Sequence, residues 1–162
     1  MTPELSRPFS LDHLGDGTRI TVQSNADERA ALAQRMGIPH IHNLACTFHL
    51  RRMGGPVIQA TGTLHAQVTQ NCVISLEPFD TTITEDFRVR FVPAGTESED
   101  LDIEADDEIP YTGNLLDLGE ATAEQLALAL DPFPRKPGAE LPAESDGEGN
   151  AFAALARLRQ QG

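Results

Sequence analysis

Cysteine is scarce: Cys46 and Cys72 are the only two in 162 residues. That is too few to staple a disulfide scaffold. Long hydrophobic runs are missing as well. Nothing approaches the ~20 consecutive apolar residues that span a bilayer, which argues against a transmembrane chain. Residues 1–12 alternate polar and apolar and lack a basic lead before an apolar block. This argues against a secretory signal and for the cytoplasm. Basic residues are outnumbered, with 12 Lys plus Arg against 25 Asp plus Glu and a formal net charge of −13. So acidic a body repels a phosphate backbone over most of its surface, and an anionic membrane too. It favours encounter with a basic protein, or serves solubility alone. What remains is ordinary globular material, 40% hydrophobic, in a length that suits one domain with tails.

Catalytic motifs are equally scarce. There is no Gly-x-Ser-x-Gly elbow and no Asp-x-Asp-x-Asp-Gly calcium loop. Gly54-Gly55 opens a strand rather than a helix, so it cradles no phosphate. His40, His42 and Cys46 fall on one strand parity and would line up three zinc-type ligands. Leu44, Phe48 and Leu50 share that parity, however, which makes Cys46 a small core residue. Cys72 also lies on the apolar parity of its own run. No metal, no cofactor and no catalytic residue is expected.

The pattern that is present reads as α+β. An extended segment at 8–11 precedes a turn at Gly15-Asp16-Gly17 and a half-buried strand through Ile20 and Val22. Asn25 and Glu28 form a capping-box pair for a helix over Ala26–Met36, ended by Gly37 and Pro39. From Leu44 onward three alternating runs follow one another, through Phe48 and Leu50, through Ile58 to Leu76, and through Ile83 to Phe91. They predict an antiparallel β-meander, open or barrel-like. The middle run is long enough to predict a bend near Gly62 or Gln70. Eight acids between Glu97 and Glu108, with no base among them, predict a solvated acidic loop. Thr122 and Gln125 suggest a second capping box, for a helix ending near Leu130. With a short helix at 151–160, two or three short helices brace the sheet. Domain boundaries follow: one domain over 1–138, a disordered acidic linker over 139–150 and a short C-terminal helix over 151–162.

Binding features stand out more than catalytic ones. Arg88 and Arg90 share the polar face of one run, flanked by Asp86. Arg135-Lys136 lies between prolines, where a stiff backbone presents charge outward. Arg51-Arg52 is the other adjacent basic pair. Phe152, Leu155 and Leu158 line one side of the C-terminal helix. At about ten residues, that helix is too short to stand alone in water, so it needs either its own domain or a partner to cover it.

Several segments together carry a resemblance. They are Asn71-Cys72-Val73-Ile74-Ser75-Leu76-Glu77-Pro78, Asp117-Leu118-Gly119-Glu120, Glu124-Gln125-Leu126, the stretch Ala127-Leu128-Ala129-Leu130-Asp131-Pro132-Phe133-Pro134-Arg135-Lys136-Pro137-Gly138-Ala139, and Asn150-Ala151-Phe152-Ala153-Ala154-Leu155-Ala156-Arg157-Leu158. In this order and spacing the chain resembles the YceD family of large ribosomal RNA subunit accumulation proteins. The resemblance implies a role in accumulation of 23S ribosomal RNA and no catalytic residues. Some members place a Cys-x-x-Cys at the Cys72 region and a cysteine cluster near 134–138. Here Ser75 and Pro134-Arg135-Lys136-Pro137-Gly138 stand instead. The expected partner is a ribosomal protein or a large-subunit precursor particle. The acidity points to a basic protein ahead of naked RNA, with Arg88, Arg90, Arg135 and Lys136 available for local RNA contacts inside a preassembled particle.

Overall fold

The computed structural model describes residues 4–15, 17–96 and 107–138. In chain order the elements are β1 (Pro8–Ser10), a 3-10 turn at Leu11–His13, β2 (Thr18–Gln23), α1 (Ala26–Met36), β3 (His40–Arg52), β4 (Ile58–Asn71), β5 (Pro78–Pro93), β6 (Asp107–Tyr111), β7 (Leu115–Asp117) and α2 (Leu118–Ala129). A five-stranded sheet has the order β2-β3-β4-β5-β6, and a two-stranded sheet pairs β1 with β7. β2, β3 and β4 are antiparallel neighbours. Thr63 donates to Asp86 at 2.8 Å and Thr69 to Asp80 at 2.5 Å. These partners advance in opposite chain directions, as antiparallel strands require. The α+β class and the β3-β4-β5 meander are therefore present. Among the described residues no pairing closes the sheet into a barrel.

Two sheet features depart from expectation. Asp107 and Glu108, expected in a solvated loop, lie in β6, which joins β5 in parallel. Glu108 sits opposite Arg90 and accepts from it at 2.8 Å, so an opposite charge offsets the like-charge repulsion. β4 also runs as one strand through both Gly62 and Gln70, near one of which its length predicts a bend. Gly62 pairs with Phe48, and a Cβ there would collide with the Phe87 ring. The missing side chain lets Phe48 and Phe87 meet edge to face, with ring centroids 5.7 Å apart.

The helices start where side-chain oxygens meet free backbone N–H groups. Asn25 and Glu28 form the expected capping box of α1, and Gly37 ends it at φ 71. For α2 the cap is Asp117, which accepts from the N–H groups of Gly119 and Glu120. Thr122, expected to cap, lies one turn inside the helix and donates to the Leu118 carbonyl at 2.8 Å. Asp117 also accepts from the Ser6 hydroxyl and the Arg7 N–H, each at 2.8 Å. Arg7 in turn grips both oxygens of Glu28 at 2.7 Å. Arg35 bridges Glu4 and Glu120 at 3.0 Å each, so α1, α2 and the N-terminal segment are clamped together.

α1 rests on β3, and α2 on β1 and β2. The core between helices and sheet buries Leu32, Leu44, Phe48, Leu64, Leu118 and Leu126 completely or nearly so. This core belongs to one compact unit, formed by the described residues of Met1–Thr69 and Asp80–Leu130. The described residues of Gln70–Phe79 and Asp131–Gly162 form a second. The expected linker at 139–150 and helix at 151–162 lie outside the described residues, as does most of the acidic run.

Candidate functional site

The five-stranded sheet buries one face and leaves the other open. On the open face β2 presents Arg19 and Thr21, β3 presents His49 and Arg51, and β4 presents Thr61, His65 and Gln67, all exposed. Pairing sets Arg19 beside His49 and His49 beside Thr61, with Arg51 beside Gln59. Arg88 lies exposed on the same face of β5. Arg90, two residues on, is half-buried and ion-paired with Glu108 at 2.8 Å. Its Nε is buried without a hydrogen-bond partner.

A bulge between Ile41 and Asn43 shifts the parity of β3. It sends His40 and His42 outward while Cys46 stays in the core, so these three side chains do not line up as zinc ligands. The two imidazoles meet edge to face, 4.4 Å between centroids. His42 Nε2 lies 2.7 Å from Thr69 Oγ1 and 3.5 Å from Asp80 Oδ1. The Thr69 hydroxyl, helped by His42 and His40, holds the Asp80 carboxyl below its usual range. Among the described residues no group of three His, Cys, Asp or Glu side chains is placed to hold a metal ion. Burial pushes the Cys46 thiol up to about 12, against a smaller opposing effect from Thr122.

The smaller unit centres on Cys72. The Cys72 N–H donates to the Glu77 carbonyl at 2.8 Å and the Leu76 N–H to the Cys72 carbonyl at 2.9 Å. Leu76 closes this turn at φ 64. The N–H groups of Ile74 and Ser75 reach Cys72 Sγ at 3.4 and 3.3 Å. Burial pushes this thiol up, but the Ser75 hydroxyl and the N–H groups of Ser75, Lys136 and Ile74 together outweigh it and bring it down to about 6. The N–H groups gathered around its sulfur set Cys72 apart from a plain apolar filler. The Val73 N–H donates to the Pro134 carbonyl at 2.9 Å, and Lys136 pairs with Glu77 at 2.8 Å. Arg135 is exposed beside that pair.

The family model described as Large ribosomal RNA subunit accumulation protein YceD matches residues 60–158, more than half of the chain. The chain belongs to the YceD family. No curated protein and no solved structure matches it. The YceD match takes in most of β4, all of β5 and α2, and the Cys72 turn with residues 131–138. Arg88, Arg90, Arg135 and Lys136 lie inside it. Phe152, Leu155 and Leu158 do too, but they are outside the described residues. Arg19, His49 and Arg51 precede the match. Sequence reasoning passed over their shared row, because which residues stand side by side depends on strand register. One sequence signal pointed there: no Asp or Glu occurs from Gly37 to Leu76, in a chain that has 25.

Proposed function

We propose that this chain is a non-enzymatic ribosome-biogenesis factor of the cytoplasm, supporting accumulation of 23S ribosomal RNA and the large subunit. The observation that carries this reading is the YceD match over residues 60–158. Its direct partner is a basic ribosomal protein or a large-subunit precursor particle, as a net charge of −13 favours. Local RNA contacts inside such a particle fall to Arg88, Arg90, Arg135 and Lys136, and Phe152, Leu155 and Leu158 of the C-terminal segment supply the apolar contact with the partner. No helix among the described residues is long and apolar enough to cross a membrane.

The test is affinity purification of the tagged full chain from cells at low and high salt, identifying bound protein and RNA. Large-subunit proteins and precursor RNA should be recovered, more at low salt, because screening weakens exposed charge contacts. Recovery of neither at either salt contradicts the reading. Purified chain that cleaves precursor ribosomal RNA, and loses the activity on a single carboxylate substitution, would instead identify an RNA-processing enzyme.

A further inference from the structure

The open sheet face carries a charge opposite to that of the chain as a whole. β2, β3 and β4 contain no Asp or Glu, yet they carry Arg19, Arg51 and Arg52 and four of the five histidines. Arg52 is turned to the Leu11 carbonyl at 3.1 Å. Arg19 and Arg51 are exposed on the open face, and among the described residues neither has an ion-pair partner. In so acidic a chain, carboxylates for pairing are plentiful. Elsewhere they are used: Arg7, Arg35, Arg90 and Lys136 each hold one. Acids return to the open face on β5 and β6, where Asp80 and Asp86 accept from Thr69 and Thr63 and Glu108 pairs with Arg90.

From this segregation we infer that the open face of β2, β3 and β4 binds the phosphate backbone of the precursor RNA, with Arg19 and Arg51 as the charged contacts. His49 lies between them, and Thr61, Gln59, His65 and Gln67 supply neutral hydrogen-bonding groups. Phosphate and sugar oxygens accept such bonds from arginine, threonine and glutamine side chains. No Phe, Tyr or Trp projects from this face on β2, β3 or β4. Only the His49 and His65 rings and the two guanidinium planes are left for bases to stack on, so the contact is chiefly with the backbone and tolerates many sequences. The repulsive remainder of the surface weakens binding to free RNA, measurable at low salt, and favours RNA already held in a particle. This inference rests on the proposed function for its source of RNA.

The experiment compares the full chain with Arg19→Glu/Arg51→Glu and Arg19→Gln/Arg51→Gln. Binding to a precursor fragment of large-subunit RNA and to polyglutamate is measured across a salt series. Co-sedimentation with precursor particles is followed in parallel. The wild-type chain should bind RNA and not polyglutamate. Both variants should keep the wild-type thermal midpoint and bind RNA more than tenfold more weakly. The Gln variant's log–log salt slope should be shallower by roughly 1.4–1.8, since two phosphate contacts are lost. Unchanged RNA affinity and slope in both variants, with wild-type co-sedimentation intact, overturns this inference alone. Equal wild-type affinity for polyglutamate also overturns it, by showing an unspecialised anion face. If the wild-type chain does not co-sediment, the proposed function itself fails.

Discussion

Cys46 and Cys72 are both buried, yet their surroundings push them in opposite directions. Burial drives Cys46 up to about 12 against a smaller opposing effect from Thr122, whereas N–H and hydroxyl donors bring Cys72 down to about 6. In a Cys46→Ser variant, the thiolate ultraviolet absorbance should therefore titrate with a midpoint near 6. A midpoint at the ordinary thiol value of ~8.5 would show that the donors do not reach the sulfur. Stability follows with a definite sign. A folded thiol below its unfolded value stabilises fully above that unfolded value, and the contribution is lost as pH falls through about 6. Cys72→Ala should remove this rise in stability between those two pH values. The Phe48–Gly62–Phe87 row gives a second residue-scale test. Phe48 is fully buried and Phe87 partly so. Phe48→Ala should cost about 3–5 kcal/mol and Phe87→Ala less. Gly62→Ala should cost about 1–3 kcal/mol by crowding the ring. Chemical denaturation measures all three, and a neutral Gly62→Ala would show that the row does not interlock.

Among the elements, α2 shows best what was legible and what was not. Its existence follows from helix-forming residues over 118–129, but its start was misplaced by one turn. Thr122 and Gln125 fit a capping box by spacing alone. Asp117 takes the role because it lies at the end of β7, where Ser6 and Arg7 also need its oxygens. That need arises over more than a hundred residues of sequence separation, beyond any local pattern. Asp117→Ala should accordingly cost about 2 kcal/mol, at the top of the range for caps. Thr122→Ala should cost less. The reverse order in denaturant unfolding would restore Thr122 as the cap. The same limit explains β3 and β6. Strand alternation gave the buried face correctly through Leu44, Cys46, Phe48 and Leu50. The bulge after Ile41 is invisible to parity, so His40 and His42 were assigned to the wrong face. β6 joins the sheet with Glu108 facing Arg90 and with Ile109 and Tyr111 packed against the core, whereas composition shows only its acids. For the candidate site, Arg88 and Arg90 were legible from alternation, whereas the Arg19–His49 row required the register.

For the whole molecule, the charge is segregated rather than spread. The part of the sheet formed by β2, β3 and β4 has no acid in a chain of net charge −13. The proposed basic-protein partner and the proposed phosphate contact both draw on that contrast. Residues 139–162 lie outside the described residues, and the stretch 139–150 has few large apolar side chains to contribute to a core. Deletion of 139–162 should therefore leave the unfolding free energy nearly unchanged and weaken association with the assembly partner. A loss of several kcal/mol would assign Phe152, Leu155 and Leu158 to the core instead. The family places the chain at the accumulation of large-subunit RNA, and one quantity reads that role without assuming a partner. It is the ratio of large- to small-subunit ribosomal RNA in cells depleted of this chain, with and without its re-expression. The account predicts that the ratio falls on depletion and returns with the wild-type chain; a ratio that does not move on depletion contradicts it.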